Sequence, residues 1–203
     1  AQPLGTHIGN ALEVKDAIDV LAGRTQGDLL EISLLLGSHM LVLAEKAKTL
    51  PEARTMLENA LSSGAGLRKL AEMIAAQGGD PRVVEDLSLL PQAAVKRVMR
   101  AETAGYLSAM DTTALGMAAQ RMGAGRAKKS DMLDYSVGYV LHVRLGDEVT
   151  EDTPLATLYA RNEAEAEEAE KAIRKALTIA RKKPQAPKLW DAVVTAEGII
   201  YNR

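Results

Sequence analysis

The chain contains no cysteine and no phenylalanine, and its aromatic residues are one tryptophan and five tyrosines. Without thiols, disulfide frameworks, thiolate metal centres and cysteine nucleophiles are excluded. The composition suits a reducing compartment, so a cytoplasmic location is expected. Leucine, methionine, isoleucine and valine must fill the core. Charge of one sign is also missing: 25 Lys and Arg face 27 Asp and Glu, a formal net charge of −2. No global positive field therefore draws in nucleic acid or an anionic membrane. Long apolar runs are absent; Leu34–Leu36 and Met40–Ala44 fall far short of the roughly 20 residues a membrane span requires. The opening stretch AQPLGTHIGNALEVKD has neither the basic and apolar regions of a secretion signal nor an initiating Met, and reads as the interior of a longer protein. What is present is 47% apolar and 26% charged residues over 203 positions, enough for a folded core in one large domain or two small ones.

The first half reads as successive helices. Asn10 with Glu13 predicts an N-cap and capping box, and Val14, Ile18 and Leu21 form a stripe closed by Gly23, giving a helix over Ala11–Ala22. From Gly27 to Ala47 apolar positions are so dense that a centrally buried helix is expected. Thr49 and Glu52 around Pro51 predict a third helix start, with Met56, Leu57, Ala60 and Leu61 on its buried side. A fourth helix, Leu67–Ala76, stops at Gly78 and Gly79. Near Leu90 and Pro91 the helical period gives way to short β-like runs at 94–99 and 105–109. The fold class is therefore α/β in the sense of an α+β arrangement. A helical part runs over 1–91, and a mixed α+β subdomain follows over 92–203. In the latter we expect a helix over Thr112–Met122 ended by Gly123, strands around Val137–Val143 and Leu155–Tyr159, and a charged helix from Asn162 to Arg181. That last helix pairs Glu167 with Lys171 and Glu170 with Arg174 at i, i+4, each worth roughly 0.2–0.5 kcal/mol. Ile173 and Leu177 would face inward, and the charge pattern makes it a solvated surface helix.

Signals for chemistry are sparse. Glycine clusters SGAG (63–66), QGGD (77–80) and GAGR (123–126) match no complete phosphate-binding fingerprint and read as caps or turns. Around GAGR, Arg121, Arg126, Lys128 and Lys129 form a basic patch able to hold an anion, although cations collect at helix C-termini anyway. The histidines, His7, His39 and His142, lack the spacing that puts two imidazoles on one helix face, which speaks against zinc. His39, within the apolar helix, reads as a satisfied core histidine, and His142 as a solvent-facing strand residue. There is no nucleophile elbow, so the pattern nominates no catalytic residue.

Four separated blocks carry a family resemblance: PLGTHIGNALEVKDAI at 3–18, AEMIAAQGGD at 71–80, MDTTALGMAAQRMGAGRAKKSDMLDYSVG at 110–138, and LGDEV with PLATLY at 145–159. Together they resemble the C-terminal half of the pyrimidine-nucleoside (thymidine) phosphorylase family, from about Gln2 to Val194. The resemblance implies a glycosyltransferase of nucleoside salvage that cleaves thymidine, uridine or deoxyuridine with inorganic phosphate as co-substrate and no organic cofactor. The family's glycine-rich phosphate segment, and the Arg and Ser-x-x-x-Lys that hold the base, lie upstream of PLG. No catalytic or substrate-binding residue therefore carries over, and the chain alone should be inactive. The resemblance implies that the helices of 10–77 cover a sheet whose founding strands lie upstream, so the chain alone should expose an apolar surface and need the N-terminal half or self-association. The family's dimer contacts also lie largely upstream, which speaks against the family's own dimer forming from this chain alone.

One site does carry over by resemblance. In bacterial members a structural monovalent cation, assigned as potassium, is held partly by two backbone carbonyls and a carboxylate at the positions of Leu4, His7 and Asp16. Asp16 is one methylene shorter than the usual Glu, which lowers affinity. The remaining ligands belong to the upstream segment, so no ion is expected in the chain alone. Read without the family, Asp16 lies about 200° around the first helix from Ile18 and faces solvent. Two alternatives stand beside the phosphorylase reading. GDEVTEDTPLATLY (146–159) is similar to the hairpin of biotinyl and lipoyl carriers, although no modifiable lysine follows Leu158. The missing Met and Phe and the AEGIIYNR tail fit an engineered fragment.

Overall fold

Two hydrophobic periods organise the computed structural model, which describes residues 1–202. In the first half the period is helical. After a two-residue strand β1 (His7–Ile8) come α1 (Asn10–Leu21), α2 (Asp28–Leu43), α3 (Leu50–Ser62) and α4 (Ala65–Ala76), followed by two single 3-10 turns at 81–84 and 87–89. In the second half strands dominate: β2 (Val95–Arg100), β3 (Gly105–Met110), α5 (Thr112–Ala119), β4 (Gly138–Leu141), β5 (Glu148–Val149), β6 (Pro154–Ala160), α6 (Glu163–Ala176), β7 (Leu177–Ala180), β8 (Ala192–Thr195) and β9 (Gly198–Tyr201). The architecture is mixed α and β, with all strand pairs antiparallel.

The main sheet has the order β1-β4-β6-β2 and a second the order β5-β3-β7; β8 and β9 form a separate hairpin. Strand β2 alternates, with Lys96, Val98 and Arg100 exposed and Met99 buried, as a strand covered on one face requires. The cover is α6, whose Ala166, Ala169, Ile173 and Ala176 recur at helical spacing and are all buried. Small alanines let that helix approach closely. The resulting core joins Met99, Leu107, Leu115, Val137, Leu141, Leu155 and Leu158. Tyr139 lies buried among them, its hydroxyl donating to the Leu115 carbonyl at 2.8 Å. Burial pushes that phenol well above its ordinary pKa.

β1 ties the start of the chain to the second half: His7 pairs with Val140 and Ile8 with Tyr139. The approach is close enough to require glycine on both sides. A Cβ on Gly138 (φ 147°) would lie 2.1 Å from the Ile8 carbonyl oxygen, and one on Gly9 (φ 135°) 2.5 Å from that of Val137.

Several expectations are corrected here. Helix α1 is capped by Gly9 rather than Asn10: the Gly9 amide donates to Glu13 at 3.3 Å, while Asn10 Nδ2 reaches the Ala124 carbonyl at 2.8 Å. A distant carbonyl has claimed the side chain that local pattern assigned to the cap. Helix α2 is not centrally buried, since Leu36, Met40 and Leu43 are 56, 69 and 83% exposed. Helix α6 ends at Ala176, and 177–180 form a strand whose Leu177 pairs with Met110. The β-branched Thr178 and Ile179 favour an extended backbone where a sheet edge is available, and the edge of β3 overrides the helical pattern. The helix expected over Thr112–Met122 does run that far, α-helical to Ala119 and then widened over Gln120–Ala124, and Gly123 breaks it at φ 105° as expected. The third helix start agrees with expectation: the Glu52 amide donates to Thr49 Oγ1 at 3.3 Å, and Glu52 accepts from the Lys48 amide at 2.8 Å.

Candidate functional site

The most connected polar cluster lies where the opening segment meets the turn after β4. In that turn, sequence HVRLGD, the Asp147 carboxylate accepts from the Arg144 amide at 2.7 Å, which fixes the backbone and aims the Arg144 side chain across the molecule. Its Nη1 donates to the carbonyls of Pro3 (2.8 Å) and Gly5 (3.2 Å). Its Nη2 donates to the carbonyl of Leu4 (3.3 Å) and to Asp28 Oδ2 (2.7 Å). Gln2 reinforces the join, accepting from the Leu145 amide at 2.9 Å and donating to Asp28 at 3.1 Å. Asp28 itself opens α2, where a carboxylate complements the helix N-terminus. A cleft of about 320 Å³ lies here, bounded among others by Leu4, Gly5, Asp16, Asp28 and Arg144.

Beside this fan of carbonyls sits the pair expected to share a cation. Asp16 is only 4% exposed, which corrects the solvent-facing reading. The segment before α1 folds back over the helix and covers the face opposite the helical core. Asp16 Oδ2 accepts from the Thr6 amide at 3.4 Å and Oδ1 lies 3.5 Å from His7 Nδ1, with Thr6 Oγ1 3.0 Å from the same nitrogen. A Cβ on Gly5 would meet Asp16 Oδ2 at 2.5 Å, so glycine is what allows the carboxylate to lie on the backbone. Burial holds the His7 imidazole below its ordinary pKa, against the opposing pull of the Asp16 charge. Leu4, His7 and Asp16 thus share one neighbourhood. The structure engages the Leu4 carbonyl with a guanidinium and the Asp16 carboxylate with Thr6 and His7. Among the described residues no group of three or more His, Asp or Glu side chains could hold a metal ion.

The other candidates disperse. Arg121, Arg126, Lys128 and Lys129 are all exposed. The loop amides of Ala127 and Lys128 are already satisfied by Asp131 Oδ2 at 3.1 and 3.0 Å, an internal acid where an external anion would sit. Arg121 instead borders a shallow groove with Glu165 and Glu168. His39 departs from expectation, because its Nε2 is buried with no hydrogen-bond partner among the described residues. His142 is exposed, as read, but its Nε2 lies 2.7 Å from Thr157 Oγ1. Burial and the nearby Lys96 lower its pKa. The β5–β6 turn carries Thr150, Glu151, Asp152 and Thr153, with no lysine for a carrier to modify. Arg144 and Asp28 escaped the sequence reading, because nothing local distinguishes an arginine whose partners are 141 and 116 residues away.

The α+β second half with this inter-half join defines a class, and comparison with known proteins places it. Residues 106–180 match the pyrimidine nucleoside phosphorylase C-terminal domain. The chain is 49% identical over 163 residues to pyrimidine-nucleoside phosphorylase of Bacillus subtilis (strain 168), covering 80% of this chain and 38% of that protein. The same identity and coverage hold for pyrimidine-nucleoside phosphorylase of Geobacillus stearothermophilus. Against that of Staphylococcus aureus (strain USA300) it is 43% identical over 179 residues, 88% of this chain and 41% of the relative. The chain belongs to the pyrimidine-nucleoside phosphorylase family and spans about two-fifths of the length of these curated relatives. No helix among the described residues is long and apolar enough to cross a membrane.

Proposed function

We propose that this chain serves as the C-terminal portion of a pyrimidine-nucleoside phosphorylase, divided near residue 91 into a helical part and the α+β subdomain. In the reaction of the whole enzyme, the N-glycosidic bond of a pyrimidine nucleoside breaks while an oxygen of inorganic phosphate bonds to the anomeric carbon. The products are the free base and (deoxy)ribose 1-phosphate. This is glycosyl transfer in cytoplasmic nucleoside salvage, with no organic cofactor. The observation that carries the reading is the 49% identity sustained over 163 residues. That stretch is too long to lie within 92–203 and so takes in the helical part as well.

The role we assign to the chain is architectural. Phosphorolysis depends on positioning phosphate and stabilising developing charge, and the groups for that task are assigned to the upstream portion of the enzyme. The apolar residues exposed on α2, and an apolar cleft of about 370 Å³ lined by Val20, Leu30, Leu34, Leu57 and Leu61 among others, support a covering surface from that portion or from a second copy.

The test is phosphate-dependent release of base from uridine and thymidine, with phosphate omitted as control. The chain alone should release none, and the chain combined with the upstream portion of a relative should release base only when phosphate is present. Release by the chain alone would move the active site into this portion and return the basic patch at 121–129 and His39 to consideration. Failure of the combined protein, with both parts folded, would sink the reading.

A further inference from the structure

The guanidinium of Arg144 lies against three successive carbonyls, those of Pro3, Leu4 and Gly5. A fan of carbonyl oxygens is what a hard monovalent cation seeks. Here a fixed cation already occupies it, delivered by a turn locked through Asp147 and neutralised by Asp28 at 2.7 Å. The second nearby carboxylate, Asp16, is buried against Gly5, Thr6 and His7. Asp28 therefore has its cationic partner within the chain, and Asp16 has polar contacts with the Thr6 amide and the His7 ring. A potassium ion at the Leu4 oxygen would sit beside a permanent positive charge, in a partly buried setting where screening is weak.

We infer that Arg144 supplies the positive charge of this carbonyl cluster, clamping residues 3–5 to the second half of the chain, and that potassium does not bind at Leu4, His7 and Asp16. The donor set does not fit the ion that the resemblance implies. Planar geometry decides it: a guanidinium presents five donors in a rigid fork and reaches several acceptors at once. A lysine ammonium at the same position could not span the three carbonyls and Asp28 together.

Two measurements test this. The first is thermal unfolding, at equal ionic strength in potassium, sodium and choline chloride, of the chain alone and of the chain combined with the upstream portion of a relative, which carries the remaining expected ligands. The melting temperatures should agree within about 1 °C, because a ligand stabilises only when it binds the folded state. A rise of more than about 2 °C specific to potassium would show a bound ion and overturn the inference. The second is limited proteolysis within residues 1–8. Arg144→Ala should be nicked about tenfold faster than the unaltered chain, since releasing the clamp raises the open population of that segment. Arg144→Lys should recover only a small part of that protection. If Arg144→Ala fails to fold, Arg144→Gln, which keeps amide donors and removes the charge, takes its place. Unchanged nicking in the folded variant, or full protection by lysine, would refute the clamp.

Discussion

The two halves of the chain bury themselves to different degrees. In the second half one continuous core gathers residues from β2, β3, α5, β4, β6 and α6, and its largest side chains are sealed from solvent. In the first half the core is broken into two small clusters. Ile18 with Val83 and Val84 forms one; Val20 with Leu30 and Leu34 forms the other. Helix α3 buries Ala53 alone and α4 buries no residue fully. The difference teaches where the chain is self-sufficient. Antiparallel strands with a helix across them satisfy both backbone and side chains locally, whereas amphipathic helices need a further layer to bury their stripes.

The sharpest way to break that comparison is paired truncation. Leu158→Ala, in the sealed core, should cost about 2–5 kcal/mol, while Leu43→Ala, on the exposed stripe, should stay within about 0.5 kcal/mol. Urea unfolding of both variants measures it; equal losses would mean the stripe is already covered, for example by self-association. Next in size is Gly138→Ala, which introduces a Cβ against the Ile8 carbonyl at a positive φ. It should destabilise by about 2–4 kcal/mol and detach β1 from β4, visible as faster amide exchange at Ile8. A smaller effect of opposite sign is expected at His39. Replacing it with Leu removes a buried nitrogen that has no partner among the described residues and should stabilise the chain by about 1 kcal/mol. Destabilisation instead would locate a partner for that nitrogen.

The smallest effect concerns His142. Burial and Lys96 hold its pKa below the ordinary imidazole value in the folded chain. The unfolded chain therefore binds the proton first as pH falls. The stability contribution is full above the ordinary value near 6.5 and is lost as pH drops through it and on through the folded one. NMR titration of the imidazole should give a midpoint below the ordinary value, and Lys96→Ala should move it upward. An unmoved midpoint would remove Lys96 as a cause.

Some of this is written locally and could be read from the letters. Thr49 and Glu52 cap α3 as their spacing predicts, Gly123 ends the helical run with a positive φ, and Glu167–Lys171 and Glu170–Arg174 pair at 2.6 and 2.8 Å. Each depends on residues within one or two turns of each other. The readings that failed share the opposite property. Asn10 was drawn from its cap by Ala124, Leu177 was taken from a helix by Met110, and Asp16 was covered by the segment that precedes its own helix.

Composition and period were therefore enough for a cysteine-free α+β chain, and the family came from the resemblance of four ordered blocks, with which the comparisons agree. Such features depend on propensities and spacings that act along the chain. Which acids are buried, which helix face stays open, and that Arg144 grips Pro3 across 141 residues were settled only when distant segments came together. Hydrogen bonds and burial of that kind are rewarded by proximity in space, and nothing in the neighbouring letters encodes it.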